Sequence, residues 1–306
     1  MCKAPGDIPR RQGLNASMDH PLPAIFPPYL IQSPAEQTAP LVFASPHSGR
    51  NYPAEFLVAA RLDALALRRS EDSFVDELFA AAPAHGAPLI AATFPRAYCD
   101  PNREMWELDP AMFDDDLPAW VNTTSARVGA GLGTIARVVA SGEAIYRRKL
   151  RFIDAEQRVQ ACWTPYHRAL AGLLAATRAQ FGTCLLIDCH SMPAHSSPAS
   201  RGIAPDFVLG DAHGTTCSPR VTQRIEQVLT GFGYQVRRND PYAGGYVTRH
   251  YGRPHDGTHA IQIEIARGLY MNEARFERSP AFTTLERHLA ALVADLAPRA
   301  AALMRG

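Results

Sequence analysis

The sequence predicts a single α/β domain with a mostly parallel or mixed central sheet and helices on both faces. Three observations carry this. Short, wholly apolar runs alternate with segments of helical period, no internal repeat is present, and no linker divides the 306 residues into two self-sufficient halves. Hydrophobic residues make up 46% of the chain against 20% charged, enough to fill a substantial core.

The elements follow in order. Residues 1–40 are rich in Pro, Gln, Ser and Ala without a sustained period, and are expected to form a loosely structured arm before a domain spanning 41–306. Met18 is a second candidate start within that arm. Leu41 to Ser45 is apolar, ends on Pro46 and suits a buried strand. Ser70-Glu71-Asp72 opens a segment with Phe74, Val75, Leu78 and Phe79 at helical spacing and acidic residues in its first turn. Pro88 to Phe94 predicts another buried strand, with a short one at Ala97 to Asp100. Asp109 to Gly142, rich in Asp, Pro, Asn, Thr and Gly, predicts a long loop or lid with short helical turns.

Leu150 to Phe181 has helical spacing, with Pro165 marking a break or kink. Strands are expected at Cys184 to Asp188, Asp206 to Gly210, Tyr234 to Val236 and His259 to Ile265. Helices are expected at Pro219 to Leu229 and, closing the chain, Ala281 to Leu303.

A formal net charge of +1 gives no global field for nucleic acid or an anionic membrane, so an acidic ligand must be held by local arginines. The first residues lack the apolar core of a signal peptide, and no stretch approaches the roughly 20 apolar residues of a membrane span. The six cysteines, Cys2, Cys99, Cys162, Cys184, Cys189 and Cys217, form no C-x-x-C pair. Reduced core thiols and a cytoplasmic location are the expectation. Oligomeric state is not legible.

In a sheet of this kind ligands bind beyond the carboxyl ends of the strands. Three predicted strands finish on polar residues: His47-Ser48-Gly49, Asp188-Cys189-His190-Ser191 and Gln262-Ile263-Glu264. A catalytic zinc site needs about three protein ligands and an open position for water. His47 and His190 supply imidazoles. Asp72 is the best candidate carboxylate, with Glu71 beside it as the alternative. Either histidine alone would more often be structural; two at strand ends with an acidic segment favour one divalent metal ion, zinc by its ligand types, although cobalt, manganese or iron suits the same set.

Glu264 stands in an apolar strand, where a charge is costly without a partner. The bland account is a salt bridge to an arginine; the functional one is a general base beside a metal-bound water. Arg103, in Asp100-Pro101-Asn102-Arg103, and Arg249, after Gly244-Gly245, lie in rigid frames and carry forks that match carboxylates.

Taken in order, Ser45-Pro46-His47-Ser48-Gly49, Glu71 to Asp76, Asp100-Pro101-Asn102-Arg103, Asp188-Cys189-His190-Ser191, Gly244 to Gly252 and Gln262-Ile263-Glu264-Ile265 resemble the N-formylglutamate amidohydrolase family, over about Leu41 to Glu273. The resemblance implies a zinc carboxypeptidase-like α/β fold and hydrolysis of an N-formyl or similar small N-acyl group from an acidic amino acid. It implies His47, Asp72 and His190 as metal ligands, Glu264 as catalytic base, and Asn102, Arg103 and Arg249 as contacts to a small anionic N-acyl amino acid. In the mechanism expected from these residues Arg103 stabilises the oxyanion, and Arg249 with the Gly244-Gly245 backbone grips a substrate carboxylate. The chain departs from the superfamily by lacking His-x-x-Glu spacing after His47. Two rival readings stand beside this one: a deacylase or carboxypeptidase-like amidase on another N-acyl amino acid or short peptide, and a ligand-binding protein that lost turnover.

Other signals are weaker. Gly129 to Gly133 misses G-x-G-x-x-G and follows no strand. Ser48 and Ser191 neighbour histidines without a G-x-S-x-G elbow. Cys189 suits a core position better than a nucleophile. His255 and His259 are flanked by Pro254 and Gly257, against a helical metal clamp, and Asp114 to Asp116 suit a solvated loop.

Overall fold

The computed structural model describes residues 26–194 and 204–305; Met18, Cys2 and the first part of the predicted arm lie outside them. The sheet follows from the apolar runs. Tyr29–Gln32 (β1), Leu41–Ser45 (β2), Leu89–Ala92 (β3), Cys184–Met192 (β4), Phe207–Gly210 (β5), Val236–Arg238 (β6) and Thr258–Ala266 (β7) form one sheet in the order β1-β3-β2-β4-β7-β5-β6. β2, β3, β4 and β7 run parallel, while β1 and β5 each run antiparallel to a neighbour, so the sheet is mixed. β1 falls inside the segment expected to be a loose arm: Tyr29 to Gln32 pair with Ala92 to Leu89 along the sheet edge.

Alternation along the central strands decides what points where. Leu41, Phe43, Leu185, Ile187, Cys189, Ile261, Ile263 and Ile265 pack on one face, under helices Pro219–Gly231 and Phe282–Leu296. The latter buries Leu285, Leu289, Leu292, Val293 and Leu296, the stripe expected at a 3.6-residue period. On the other face Val42, Ala44, Leu186 and Ala260 pack under helix Thr164–Phe181. Cys189 therefore belongs to the core. Its neighbours Asp188 and His190 share the opposite face with Gln262 and Glu264, beside which β4 and β7 place them in register. Below them that face is apolar; toward the carboxyl ends it becomes polar.

Some elements differ from expectation. Ala97 to Asp100 is a turn rather than a strand, because Tyr98 N and Cys99 N both donate to Pro95 O. The segment after Ser70 is not one helix. A 3-10 turn, Arg68–Ser70, precedes a four-residue helix, Val75–Leu78, and Phe74 between them has φ 66°, a left-handed conformation costly for a large side chain. Asp72 thus sits in a tight link rather than at a helix start. The last helix stops at Leu296 and resumes at Ala300–Met304, since Pro298 has no N–H to continue it. β6 begins at Val236 rather than Tyr234.

Pro165 does not break its helix. Phe152–Arg158 runs into a π-turn, Val159–Trp163, which widens the helix just ahead of the proline, and Thr164–Phe181 continues it. Trp163 there donates from Nε1 to Arg103 O at 3.0 Å and stacks on His167 with ring centroids 3.8 Å apart. His167 in turn lies 2.8 Å from Pro101 O and 2.9 Å from Tyr251 Oη. Burial pushes the His167 imidazole down to about 4. Its unfolded value is near 6.5, so the unfolded chain takes up this proton first as pH falls. Stability should be full above about pH 6.5, decline toward pH 4, and lose at most about 3 kcal/mol from this group. Urea unfolding of wild type and His167→Gln at several pH values checks this; parallel pH curves for the two proteins would reject it.

Candidate active site

The topology makes a crevice where β2 stands between β3 and β4, because the chain leaves β2 toward one neighbour and later enters the other. A cavity of about 410 Å³ opens at the carboxyl ends there, a size suited to a small metabolite. His47 follows β2, His190 and Glu264 stand on β4 and β7, and Asp72 is tied in by its backbone N–H, which donates to His47 O at 3.0 Å. All four side chains are buried and line the cavity.

His47, Asp72 and His190 come together, with one ligand atom from each lying within 4.8 Å of the others. Nδ1 of His47 is 3.3 Å and Nδ1 of His190 3.0 Å from the same oxygen, Asp72 Oδ2. Behind the rings stand two more carboxylates: His47 Nε2 is 2.8 Å from Asp100 Oδ1, and His190 Nε2 is 2.9 Å from Asp188 Oδ1. Each imidazole therefore has a carboxylate at both nitrogens. A neutral ring carries one N–H and can satisfy only one of them. If the outer nitrogens hold the protons, two lone pairs and a carboxylate oxygen face one another across the gap. That arrangement is unfavourable unless a cation lies between them, and histidine ligands held from behind by carboxylates are common around metals. The residues fit a divalent ion.

The electrostatics agree. Burial would raise Asp72, but its contacts with His190 and His47 outweigh it and hold the carboxyl well below the usual range. Burial would lower His190, but Asp188 and Asp72 hold its proton well above the usual value. The cluster is built to keep positive charge in a buried place. Asp188 Oδ1 has no partner in hydrogen-bond geometry despite its 2.9 Å approach to His190, so its charge too is answered by that cationic centre.

Glu71, the alternative ligand, is turned away: it pairs with Arg68 Nε at 2.7 Å and accepts from Tyr52 Oη at 3.3 Å. Asp72 is instead fixed by its other oxygen, which accepts from Arg267 Nη2 at 3.1 Å and Ser191 Oγ at 3.2 Å. That leaves Oδ2 toward the histidines.

Glu264 lies opposite His190 in register and accepts from Gln262 Nε2 at 2.6 Å. Burial pushes its carboxyl up to about 7, partly offset by His190. No arginine pairs with it among the described residues, so the salt-bridge account of Glu264 fails. Gln262 also accepts from Gly245 N at 2.7 Å, linking the glycine segment to the acid. Gly245 is needed for space: a Cβ there would lie 2.3 Å from Asn102 Nδ2. Asn102 cannot swing away freely, since its Oδ1 accepts from Val247 N at 2.8 Å and its Nδ2 lies 3.2 Å from His190 Nε2.

Arg103 is buried and braced, with Nε donating to Leu132 O and Nη1 to Asn102 O, both at 2.7 Å. Nη2 lies 3.8 Å from Asp100 Oδ2, a long ion pair, makes no hydrogen bond among the described residues and is open to a ligand. Burial and the nearby arginines lower its guanidinium to about 10, against the pull of Asp100. Arg249 is exposed, lines the same cavity with Gly244 and Gly245, and bonds through Nε to Gly244 O at 3.2 Å.

Five contributors went unassigned in the sequence. Asp100 and Asp188 brace the histidines, Arg96 pairs with Asp100 at 2.7 Å, Arg267 fixes Asp72, and Gln262 orients Glu264. Asp100 and Asp188 each stand two residues before a candidate site residue, Asn102 and His190, and that spacing was the available signal.

The family model for N-formylglutamate amidohydrolase matches residues 39–271, well over half of the chain. The chain belongs to the N-formylglutamate amidohydrolase family. Its sequence is 33% identical over 238 residues to the N-formylglutamate deformylase of Pseudomonas aeruginosa, covering 76% of this chain and 83% of that one. It is 32% identical over 237 residues to the N-formylglutamate deformylase of Pseudomonas putida, covering 76% and 82%. The crystal structure of N-formylglutamate amidohydrolase from Ralstonia eutropha JMP134 superposes with a TM-score of 0.84 at 38% identity, covering 89% of this chain and 98% of that one. The family match and the mixed sheet agree with the expected class. No helix among the described residues is long and apolar enough to cross a membrane.

Proposed function

We propose that this chain hydrolyses N-formyl-L-glutamate to formate and L-glutamate, with one divalent ion, zinc, held by His47, Asp72 and His190. The observation that carries the reading is the meeting of two Nδ1 atoms and Asp72 Oδ2 in a cavity that also holds a raised-pKa glutamate, in a chain of this family. The ion supplies Lewis acidity, making bound water a nucleophile near neutral pH and polarising the carbonyl.

The rest is the work of the chain. Glu264 takes a proton from the water as its oxygen attacks the formyl carbon, and Gln262 keeps the carboxylate aimed. Arg103 Nη2 faces the charge that develops on the formyl oxygen, a donor of a kind worth a few kcal/mol. Glu264 then gives its proton to the leaving nitrogen as the C–N bond breaks, releasing formate and the free amine. Asn102, Arg249 and the backbone of Gly244 and Gly245 grip the amino-acid part. Five buried free thiols support a reducing, cytoplasmic setting.

The test is turnover of zinc-loaded protein on N-formyl, N-acetyl and N-succinyl derivatives of glutamate, read as released amine. N-formyl-L-glutamate should be the best substrate by about tenfold or more, the discrimination that one added methyl group brings where the acyl group is closely fitted. Faster release from N-acetyl- or N-succinylglutamate would refute the proposed acyl specificity.

A further inference from the structure

The charges of the cavity wall do not cancel. Asp100 is matched by Arg96 at 2.7 Å and Asp72 by Arg267 at 3.1 Å. Arg127 and Arg249 line the same cavity, and neither has a carboxylate within ion-pair distance among the described residues. Arg249 is engaged through Nε with a backbone carbonyl, whereas the Arg127 side chain makes no hydrogen bond among the described residues, its carbonyl alone accepting from Leu132 N at 2.8 Å. Arg127 is also close enough to Arg103 for their like charges to repel. Two guanidinium groups without a carboxylate partner, sharing a wall with the braced Arg103, make an arrangement that gains from a ligand with two negative charges rather than one.

Arg127 is exposed, but its backbone is held. It lies in the short helix Ala126–Gly129, whose first turn is closed by Val128 N donating to Ser125 Oγ at 3.1 Å, and whose Val128 is buried. The chain after it is sewn to the motif that braces His47: Arg103 Nε donates to Leu132 O, and Asp100 N donates to Thr134 O, both at 2.7 Å. Gly133 packs so closely that a Cβ would lie 2.2 Å from Glu107 O. The long loop therefore presents Arg127 from a fixed base, on a segment distinct from the one that carries Arg249.

We propose that Arg127 is the specificity-determining residue that binds the side-chain carboxylate of the substrate, so that the site selects N-formylated dicarboxylic amino acids. The inference rests on the amide hydrolysis proposed above. With Arg103 given to the formyl oxygen, Asn102 beside His190 and Arg249 on the glycine segment suit the α-carboxylate next to the scissile nitrogen. The second carboxylate, a side chain further away, falls to the arginine on the loop. Glutamine is the matched control, nearly the same shape without the charge.

The experiment is calorimetric binding of L-glutamate and L-glutamine to zinc-loaded wild type, Arg127→Met and Arg127→Lys, with formate release from N-formyl-L-glutamate and N-formyl-L-glutamine measured in parallel. Wild type should bind glutamate about tenfold or more tightly than glutamine. Arg127→Met should abolish that preference with glutamine binding unchanged, and Arg127→Lys should restore part of it. In turnover the loss should appear in kcat/KM for the glutamate derivative alone. Retained glutamate preference in Arg127→Met overturns the inference, as does an equal loss for both ligands. If the preference depends on Arg127 but wild type releases no formate, the binding role stands and the proposed hydrolysis falls.

Discussion

Replacing Glu264 with glutamine should lower kcat on N-formyl-L-glutamate about a thousandfold while leaving zinc content and KM nearly unchanged. The amide keeps the shape of the carboxylate and its place beside Gln262, but it cannot accept a proton. Glu264 is not one of the three converging ligands, so the ion should remain. Its carboxyl is raised to about 7, chiefly by burial, and the ionised, proton-accepting form grows as pH rises through that value. The rate of the wild-type enzyme should therefore fall on the acid side. A cation in the neighbouring site favours the ionised form, so with zinc bound the limb should lie below pH 7. Residual activity of Glu264→Gln should lack that limb. Stopped assays for formate between about pH 5 and 9, with zinc measured on the same samples, check both statements. Near-normal turnover in the zinc-bound variant would remove Glu264 from the chemistry.

The second large effect is expected at the histidines. His47→Ala should lose the ion and reduce turnover at least a thousandfold, because only two of the three converging groups remain. Asp100→Asn should be milder and more informative. Asp100 touches His47 Nε2 at 2.8 Å while its other oxygen pairs with Arg96. The burial cost of its charge is outweighed by Arg96, Arg103 and His47, which together hold the carboxyl well below its usual range. Neutralising it weakens the grip on the imidazole without removing a ligand. Zinc affinity should fall about ten- to a hundredfold, and excess zinc should restore most of the activity. Competition with a chelating dye measures the affinity. Wild-type affinity in both variants would show that the ion, if bound, lies elsewhere.

Much of this site could be read in the chain because it depends on short-range rules. His190 and Glu264 sit on strands whose apolar alternation sends Cys189, Ile263 and Ile265 to the opposite face, so the polar residues among them must share the other. The paired glycines Gly244 and Gly245 marked a tight backbone locally, although the Asn102 side chain that Gly245 admits comes from a distant segment. What was not legible depends on distant segments meeting. Asp72 reached the histidines through a left-handed Phe74 and a backbone bond to His47, neither of which a helical pattern suggests. Arg267 was invisible as the anchor of Asp72 because the two are 195 residues apart. Pro165 predicts a break or kink because sequence shows the missing N–H but not the π-turn ahead of it that absorbs it. Arg127 lay in a glycine-rich loop with no periodicity to mark it.

The central claim is that one ion, held by His47, Asp72 and His190, is required for formyl hydrolysis. Its most direct test is a zinc titration of chelator-stripped protein, followed by formate release from N-formyl-L-glutamate. The rate should start near zero, rise linearly and level off at about one zinc per chain, the stoichiometry of a single three-ligand site. Full formate release by the stripped protein before any zinc is added would contradict it.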